Sequence, residues 1–280
     1  MNTKERSNHR DDVQNSAGPL ALRPEVPVLL LVGGMGTRLR PVLGSTVPKP
    51  LAPLGDKPFL NLLIHQLRVQ GFRHVVMCTG YGSDQIKDRF GDGHSVGIRI
   101  DYSPEPHPLG TAGAVRLARE YVSCAPEFLV MNGDSFLDLD LRALLNAHGG
   151  CRRAATMALS RVSDAGRYGT VQALGDGRVI GFAEKTGPRA PGIINAGVYA
   201  FDRSILDYIP EGWANLEQDV FPRIAEAGVF AVQQKGIFID IGVPEDYSRA
   251  QALCAKLYRA ASKHSYRGRV AEDRRLLEVQ

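Results

Sequence analysis

Val26–Val32 is apolar from end to end and stops on a glycine cluster, Gly33-Gly34-Met35-Gly36-Thr37-Arg38. A short apolar run bounded by glycine has the pattern of a strand buried on both faces. Such strands belong to parallel sheets that carry helices on each side, so this one segment steers the chain toward an α/β architecture.

The alternation that follows supports it. Pro58–Gln70 has Phe59, Leu62, Leu63 and Leu67 at helical spacing and stops at Gly71, a C-terminal cap. His74–Thr79 reads as a strand, Ser83–Phe90 as a helix capped by Ser83, Ile98–Ser103 as a strand, Thr111–Tyr121 as a helix and Phe128–Asn132 as another buried strand. The second half is more broken. Ala154–Arg161 and Ile193–Phe201 read as strands, and Gly175-Asp176-Gly177 between Thr170–Ala173 and Arg178–Phe182 signals a hairpin. Leu216–Glu226, capped by Asn215, and Pro244–Tyr258, with proline at its first position, read as helices. The fold expected is α/β: a Rossmann-like mixed, mostly parallel sheet flanked by helices.

Residues 1–24 lack periodicity and are expected to be a disordered extension. Residues 25–258 form the folded domain, and 259–280 a charged tail. The extension has no apolar core of a secretory signal, and no stretch of about 18 apolar residues occurs, so neither secretion nor a membrane span is expected. Cys78, Cys124, Cys151 and Cys254 are far apart with no C-x-x-C pair, which fits a reduced cytoplasmic protein without a zinc or disulfide framework. A formal charge of +4 fits small anionic ligands. The central chain has no basic stripe of the kind that binds nucleic acid. Homo-oligomerisation stays open.

The glycine cluster has two readings. Gly33, Gly34 and Gly36 can form a tight turn, or their N–H groups can make an anion-binding nest with Arg38 as a bidentate phosphate partner. Lys49, held between Pro48 and Pro50, adds a second cation on a stiffened loop. Asp134, in Asn132-Gly133-Asp134, ends a strand on the side where such sheets bind ligands; alone it could equally be a turn former or cap. Asp240 lies among apolar residues in Phe238-Ile239-Asp240-Ile241-Gly242 and needs a partner, for which a divalent cation is one candidate. Two carboxylates suit Mg²⁺, which keeps water and phosphate oxygens in its shell. Asp138 and Asp140 alternate with leucine and read as a solvent-facing edge with a helix cap.

Taken together, G-G-M-G-T-R-L-R-P followed by V-P-K-P-L-A-P resembles the signature of the sugar-1-phosphate nucleotidyltransferases, from about Val28 to Leu257. Two departures are mild: Val32 stands where alanine is usual, and Phe238 where tryptophan is common. The resemblance implies a nucleotide site formed by Val32, Gly33, Gly34, Gly36, Thr37, Arg38, Glu105, Gly110, Thr111 and Asp134. It implies catalysis by Arg38, Lys49 and Asp134, and Mg²⁺ held by Asp134 and Asp240. Gly169, Glu184, Lys185 and Asn195 fall in the family's Y-G, E-K and N-A-G motifs and would bind the sugar phosphate. Pro108–Ala114, reading P-L-G-T-A-G-A, resembles the guanylyl branch, so the implied substrates are GTP and a sugar 1-phosphate. D-glycero-α-D-manno-heptose 1-phosphate is favoured over mannose 1-phosphate, with a role in bacterial capsule or surface-glycan synthesis. A non-catalytic sugar-nucleotide-binding relative would be expected to lose Arg38, Lys49 or the aspartates, and all are present. A nicotinamide Rossmann site would need an intact G-x-G-x-x-G, which Arg38 interrupts.

Overall fold

A computed structural model describes residues 26–149, 153–183, 190–224 and 228–266. One nine-stranded sheet runs through it. β1 (Val28–Leu31) lies at its centre and pairs in parallel with β4 (His74–Thr79) and β6 (Glu127–Asn132), and β4 pairs in parallel with β5 (Arg99–Pro104). β11 (Gly192–Asp202) then runs antiparallel to β6. It also contacts β8 (Ala155–Val162) and the hairpin of β9 (Thr170–Ala173) with β10 (Val179–Ala183). β12 (Val229–Gln234) returns parallel to β8. The sheet is thus mixed and mostly parallel, all parallel in its first half, as the apolar strands predict.

β1 shows why the fold has two core layers. Val28 and Leu30 pack on one face with helix α2 (Phe59–Val69), while Leu29 packs on the other with α4 (Gly110–Leu117). Side chains alternate along a strand, so an unbroken apolar run is stable only where both faces are covered. At about 25 cal/mol per Å² of apolar surface, each such leucine contributes on the order of 2 kcal/mol.

Several local expectations change. Ser83 is not a cap: α3 (Ser83–Phe90) is entered through Gly82 in the left-handed region, and the Ser83 hydroxyl pairs with Thr79 Oγ1 at 2.8 Å. The helix expected over 111–121 breaks at Ala118 into α4 and α5 (Arg119–Val122). Around Asn215 the chain makes a five-residue π turn, Leu216–Val220. There the Asn215 side chain caps nothing; the Asp219 carboxylate accepts from Asn215 N instead, at 2.7 Å. Asp138 is buried, not solvent-facing, and its Oδ1 stands 3.1 Å from His264 Nε2. Asp140 does cap a helix, α6 (Leu141–Gly149), accepting from Arg142 N and Ala143 N. The last helical stretch divides at Leu253 into α7 (Pro244–Ala252) and α8 (Cys254–Ala261). Beyond it Tyr266 N donates to Val69 O. No described helix is long and apolar enough to cross a membrane.

His148 on α6 is buried, with Nδ1 3.0 Å from Thr156 Oγ1 on β8, and burial pushes its pKa down from 6.5 to about 4. The unfolded chain binds a proton near pH 6.5, whereas the folded one does not until about 4. The stability from neutral His148 is therefore complete above pH 6.5 and lost as pH falls through that window. Melting curves should show wild type losing a few kcal/mol between those limits. A His148→Gln protein should lack that component; identical pH profiles for the two would refute it.

Candidate functional site

The carboxyl ends of β1, β4 and β6 and the start of the loop after β5 meet at one crevice, where an open α/β sheet binds ligands. Val32 N donates to Cys78 O at 2.9 Å, which carries the β1–β4 ladder up to the glycines. Gly33 is pressed between strands: a Cβ there would lie 2.4 Å from Glu105 Oε1 and 3.2 Å from Gly80 N. Gly36 has φ +61, and a Cβ on it would lie 2.9 Å from Lys49 Cβ, so the loop rests against the lysine stem. Gly34, Thr37 and Arg38 are exposed at the mouth of the crevice. Glu105 Oε2 accepts from Leu109 N at 2.9 Å, and burial holds its carboxyl above the usual range despite that bond.

Gly33→Ala should displace Glu105 from Leu109 and cost roughly 1–3 kcal/mol of stability. Gly34→Ala, with nothing within 4 Å of the added methyl, should be near neutral. Urea denaturation of the two variants checks this, and equal midpoints would contradict it.

Two aspartates converge on Lys49. Its Nζ is 2.6 Å from Asp134 Oδ2 and 3.8 Å from Asp240 Oδ1, and its side chain is only 10% exposed. Lys49–Leu51 is a 3-10 turn preceded by Pro48, stiffened by Pro50 at its centre and closed by Ala52 N to Lys49 O, 3.0 Å. A small ladder brings the two acids together: β13 (Phe238–Asp240) pairs antiparallel with β7 (Ser135–Leu137), placing Asp240 opposite Ser135, and Ile241 N donates to Asp134 O. Asp240 Oδ1 also accepts from Gly242 N at 2.6 Å. Burial, then repulsion from Asp134, raise the Asp240 pKa against the pull of Lys49.

Among the described residues no group of three or more His, Cys, Asp or Glu side chains is placed to cage a metal. Two acids at the edge of an open crevice fit instead a Mg²⁺ that draws the rest of its shell from phosphate and water. Asp134, at 37% side-chain exposure, is reachable for this.

A cleft of roughly 1510 Å³ adjoins this cluster, lined among others by Arg38, Asn132, Tyr168, Gly169, Asn195 and Asp240. It is large enough for two ligands of substrate size. Asn195 Nδ2 donates to Glu217 Oε1 at 2.9 Å and to the Tyr199 hydroxyl at 2.7 Å, while its Oδ1 accepts from Gly197 N. Glu184 and Lys185 lie outside the described residues.

Gly110 and Thr111 are held at the entry of α4. A Cβ on Gly110 would lie 2.4 Å from Ala214 O, and Thr111 Oγ1 accepts from Leu216 N at 2.9 Å, so both join the α4 entry to the π turn. Three lining residues escape the sequence reading. Arg167 bonds the Tyr168 hydroxyl (2.7 Å) and Asp246 (2.5 Å), Glu217 anchors Asn195, and Asn132 backs Gly197. Arg167 could have been noticed as a cation beside Tyr168-Gly169. Glu217 had no local signal, because its partners are 18 and 22 residues away.

Residues 27–256 match the family of nucleotidyl transferases. The chain is 37% identical over 232 residues to mannose-1-phosphate guanylyltransferase of Mycobacterium tuberculosis, an alignment covering 81% of this chain and 64% of that protein. It is 38% identical over 226 residues to D-glycero-alpha-D-manno-heptose 1-phosphate guanylyltransferase of Aneurinibacillus thermoaerophilus, covering 80% of this chain and 96% of the relative. It thus spans less than two thirds of the first relative and nearly all of the second. Among solved structures, HddC from Yersinia pseudotuberculosis complexed with GMP-PN superposes with a TM-score of 0.73 at 34% identity, covering 81% of this chain and 98% of that one.

Proposed function

The chain belongs to the nucleotidyl transferase family, and on that premise we propose that it transfers GMP from GTP to a sugar 1-phosphate. The products are a GDP-sugar and pyrophosphate. The observation that carries this reading is the Lys49 ammonium set between Asp134 and Asp240 beside the glycine loop.

The sugar phosphate is the nucleophile. One of its oxygens bonds to the α-phosphorus of GTP as the bond from that phosphorus to the bridging oxygen of the leaving pyrophosphate breaks. The nucleophile is already an anion at neutral pH, so no general base is required. Repulsion between two anions is the barrier, and positioned cations lower it. In this reading the N–H groups of Gly33 to Gly36 receive the triphosphate, with Val32 and Thr37 flanking them. Arg38 steadies the pyrophosphate, Lys49 bridges phosphates as charge builds, and Lys185 holds the incoming phosphate in line. Mg²⁺ held by Asp134 and Asp240 would supply neutralising charge at the reacting phosphates. Glu105, Gly110 and Thr111 shape the base side of the site. Gly169, Glu184 and Asn195 receive the sugar, with Glu217 orienting Asn195.

D-glycero-α-D-manno-heptose 1-phosphate is the preferred acceptor, because the heptose relative matches this chain along nearly its whole length. Mannose 1-phosphate is second. The product would serve capsule or surface-glycan synthesis, and residues 25–258 would form the catalytic domain. Pyrophosphate release with Mg²⁺, four NTPs and a panel of sugar 1-phosphates tests this. Release with GTP and heptose 1-phosphate is expected. Turnover only with UTP or dTTP would overturn the base assignment, and none with any pair would leave a binding protein.

A further inference from the structure

A second cleft, of roughly 630 Å³, opens between α2, the end of α3, the turn His94–Val96 and α8. That is the size of a small-molecule site. Its chemistry is one-sided. Lys57, Arg68 and Arg89 line it together with His65 and His94. Among the described residues no carboxylate stands within ion-pair distance of Lys57, Arg68 or Arg89. The nearby acid Asp56 acts on Tyr258. The Arg68 stem is held in place across Gly97, where a Cβ would come within 3.1 Å of Arg68 Cδ. His65 is fixed by Ser262 Oγ at 2.8 Å and by the tilted Tyr258 ring at 5.8 Å.

Two further lining side chains carry buried polar atoms with no partner among the described residues: Asn61 Oδ1 and the Tyr258 hydroxyl. Folded proteins rarely leave such atoms unpaired without a reason. The two orphans ask for different things. Asn61 Oδ1 only accepts, so it needs an N–H or O–H. Burial pushes the Tyr258 hydroxyl up to about 12, so it stays protonated and can donate. Three cations with no ion-pair partner among the described residues, together with a donor and an acceptor, are what a phosphate carrying a hydroxylated body would require. We propose that this cleft is a second binding site, separate from the one between Lys49 and Asn195, for a phosphorylated, hydroxyl-bearing small molecule such as a sugar phosphate.

The site also touches the loop that carries Lys49. Lys57 lies on β3 (Lys57–Pro58), whose partner β2 (Pro53–Leu54) follows Ala52, and Phe59 N donates to Ala52 O at 2.8 Å.

Calorimetric titration of the full chain with glucose 6-phosphate tests the proposal, with glucose as the uncharged control. One saturable site for the phosphate and none for glucose is expected. Arg68→Ala/Arg89→Ala should weaken binding at least about tenfold, since each loses a charge-assisted contact. Both arginines are exposed, so the melting temperature should hold. Lys57→Ala, on an exposed hairpin residue, should act in the same direction and guards against a folding artefact. Lys49→Ala should leave this binding unchanged. Absence of saturable binding, binding that the arginine and Lys57 variants leave intact, or binding that Lys49→Ala abolishes would each overturn the proposal.

Discussion

Lys49→Ala should lower kcat by about 10²–10³-fold, the loss typical when one preorganised charge-stabilising group is removed. Lys49 differs from an ordinary surface lysine in two ways. Its stem is almost fully covered, and its ammonium is held between two acids on a proline-braced turn, so little entropy is left to lose when it meets a phosphate. The same substitution leaves Asp134 and Asp240 facing each other without the cation between them. The variant should therefore melt at a lower temperature than wild type. Mg²⁺ should raise its melting temperature more than it raises that of wild type, because the ion then neutralises a pair that nothing else balances. Turnover and melting curves with and without Mg²⁺ separate the two consequences. A folded Lys49→Ala protein with near wild-type kcat would remove the lysine from the mechanism.

The parts of this site that could be read in the sequence are those whose geometry is local. Gly33 and Gly36 are glycines because a neighbour or a positive φ leaves room for nothing else, and the run Gly33 to Arg38 displays that need directly. β1 and β4 were legible because strands buried on both faces must be apolar throughout. What escaped depends on residues that meet only after folding. The β7–β13 ladder joins segments about 100 residues apart, each three residues long, too short for a period to show. The Thr111 hydroxyl receives Leu216 N, 105 residues further on, a contact no spacing rule anticipates. The Leu216–Val220 turn carries helical periodicity, yet its hydrogen bonds are of the wider π register, which apolar spacing alone does not separate from an α-helix.

Asp240→Asn should move activity and stability in opposite directions. In the folded chain the Asp240 pKa is raised, by burial first and by Asp134 second, and Lys49 only partly offsets this. A carboxyl with a raised folded pKa supports the fold below its unfolded value of 3.8 and loses that support as pH rises through the folded value. At pH 7 the ionised group is therefore a net cost to folding. Asparagine keeps the shape, and its Oδ1 can still accept from Gly242 N, but it carries neither the buried charge nor the repulsion toward Asp134. The variant should be at least as stable as wild type at neutral pH, and the difference should vanish in acid. Activity should fall by about 10²–10³-fold, with a higher Mg²⁺ concentration needed for half-maximal rate, because one of two charged ligands is lost. A residue serving only to close the β7–β13 ladder would give the reverse pattern, lower stability with Mg²⁺ dependence unchanged. Melting curves at two pH values and a Mg²⁺ titration of the rate distinguish the two, and the second pattern would end the case for Asp240 as a metal ligand.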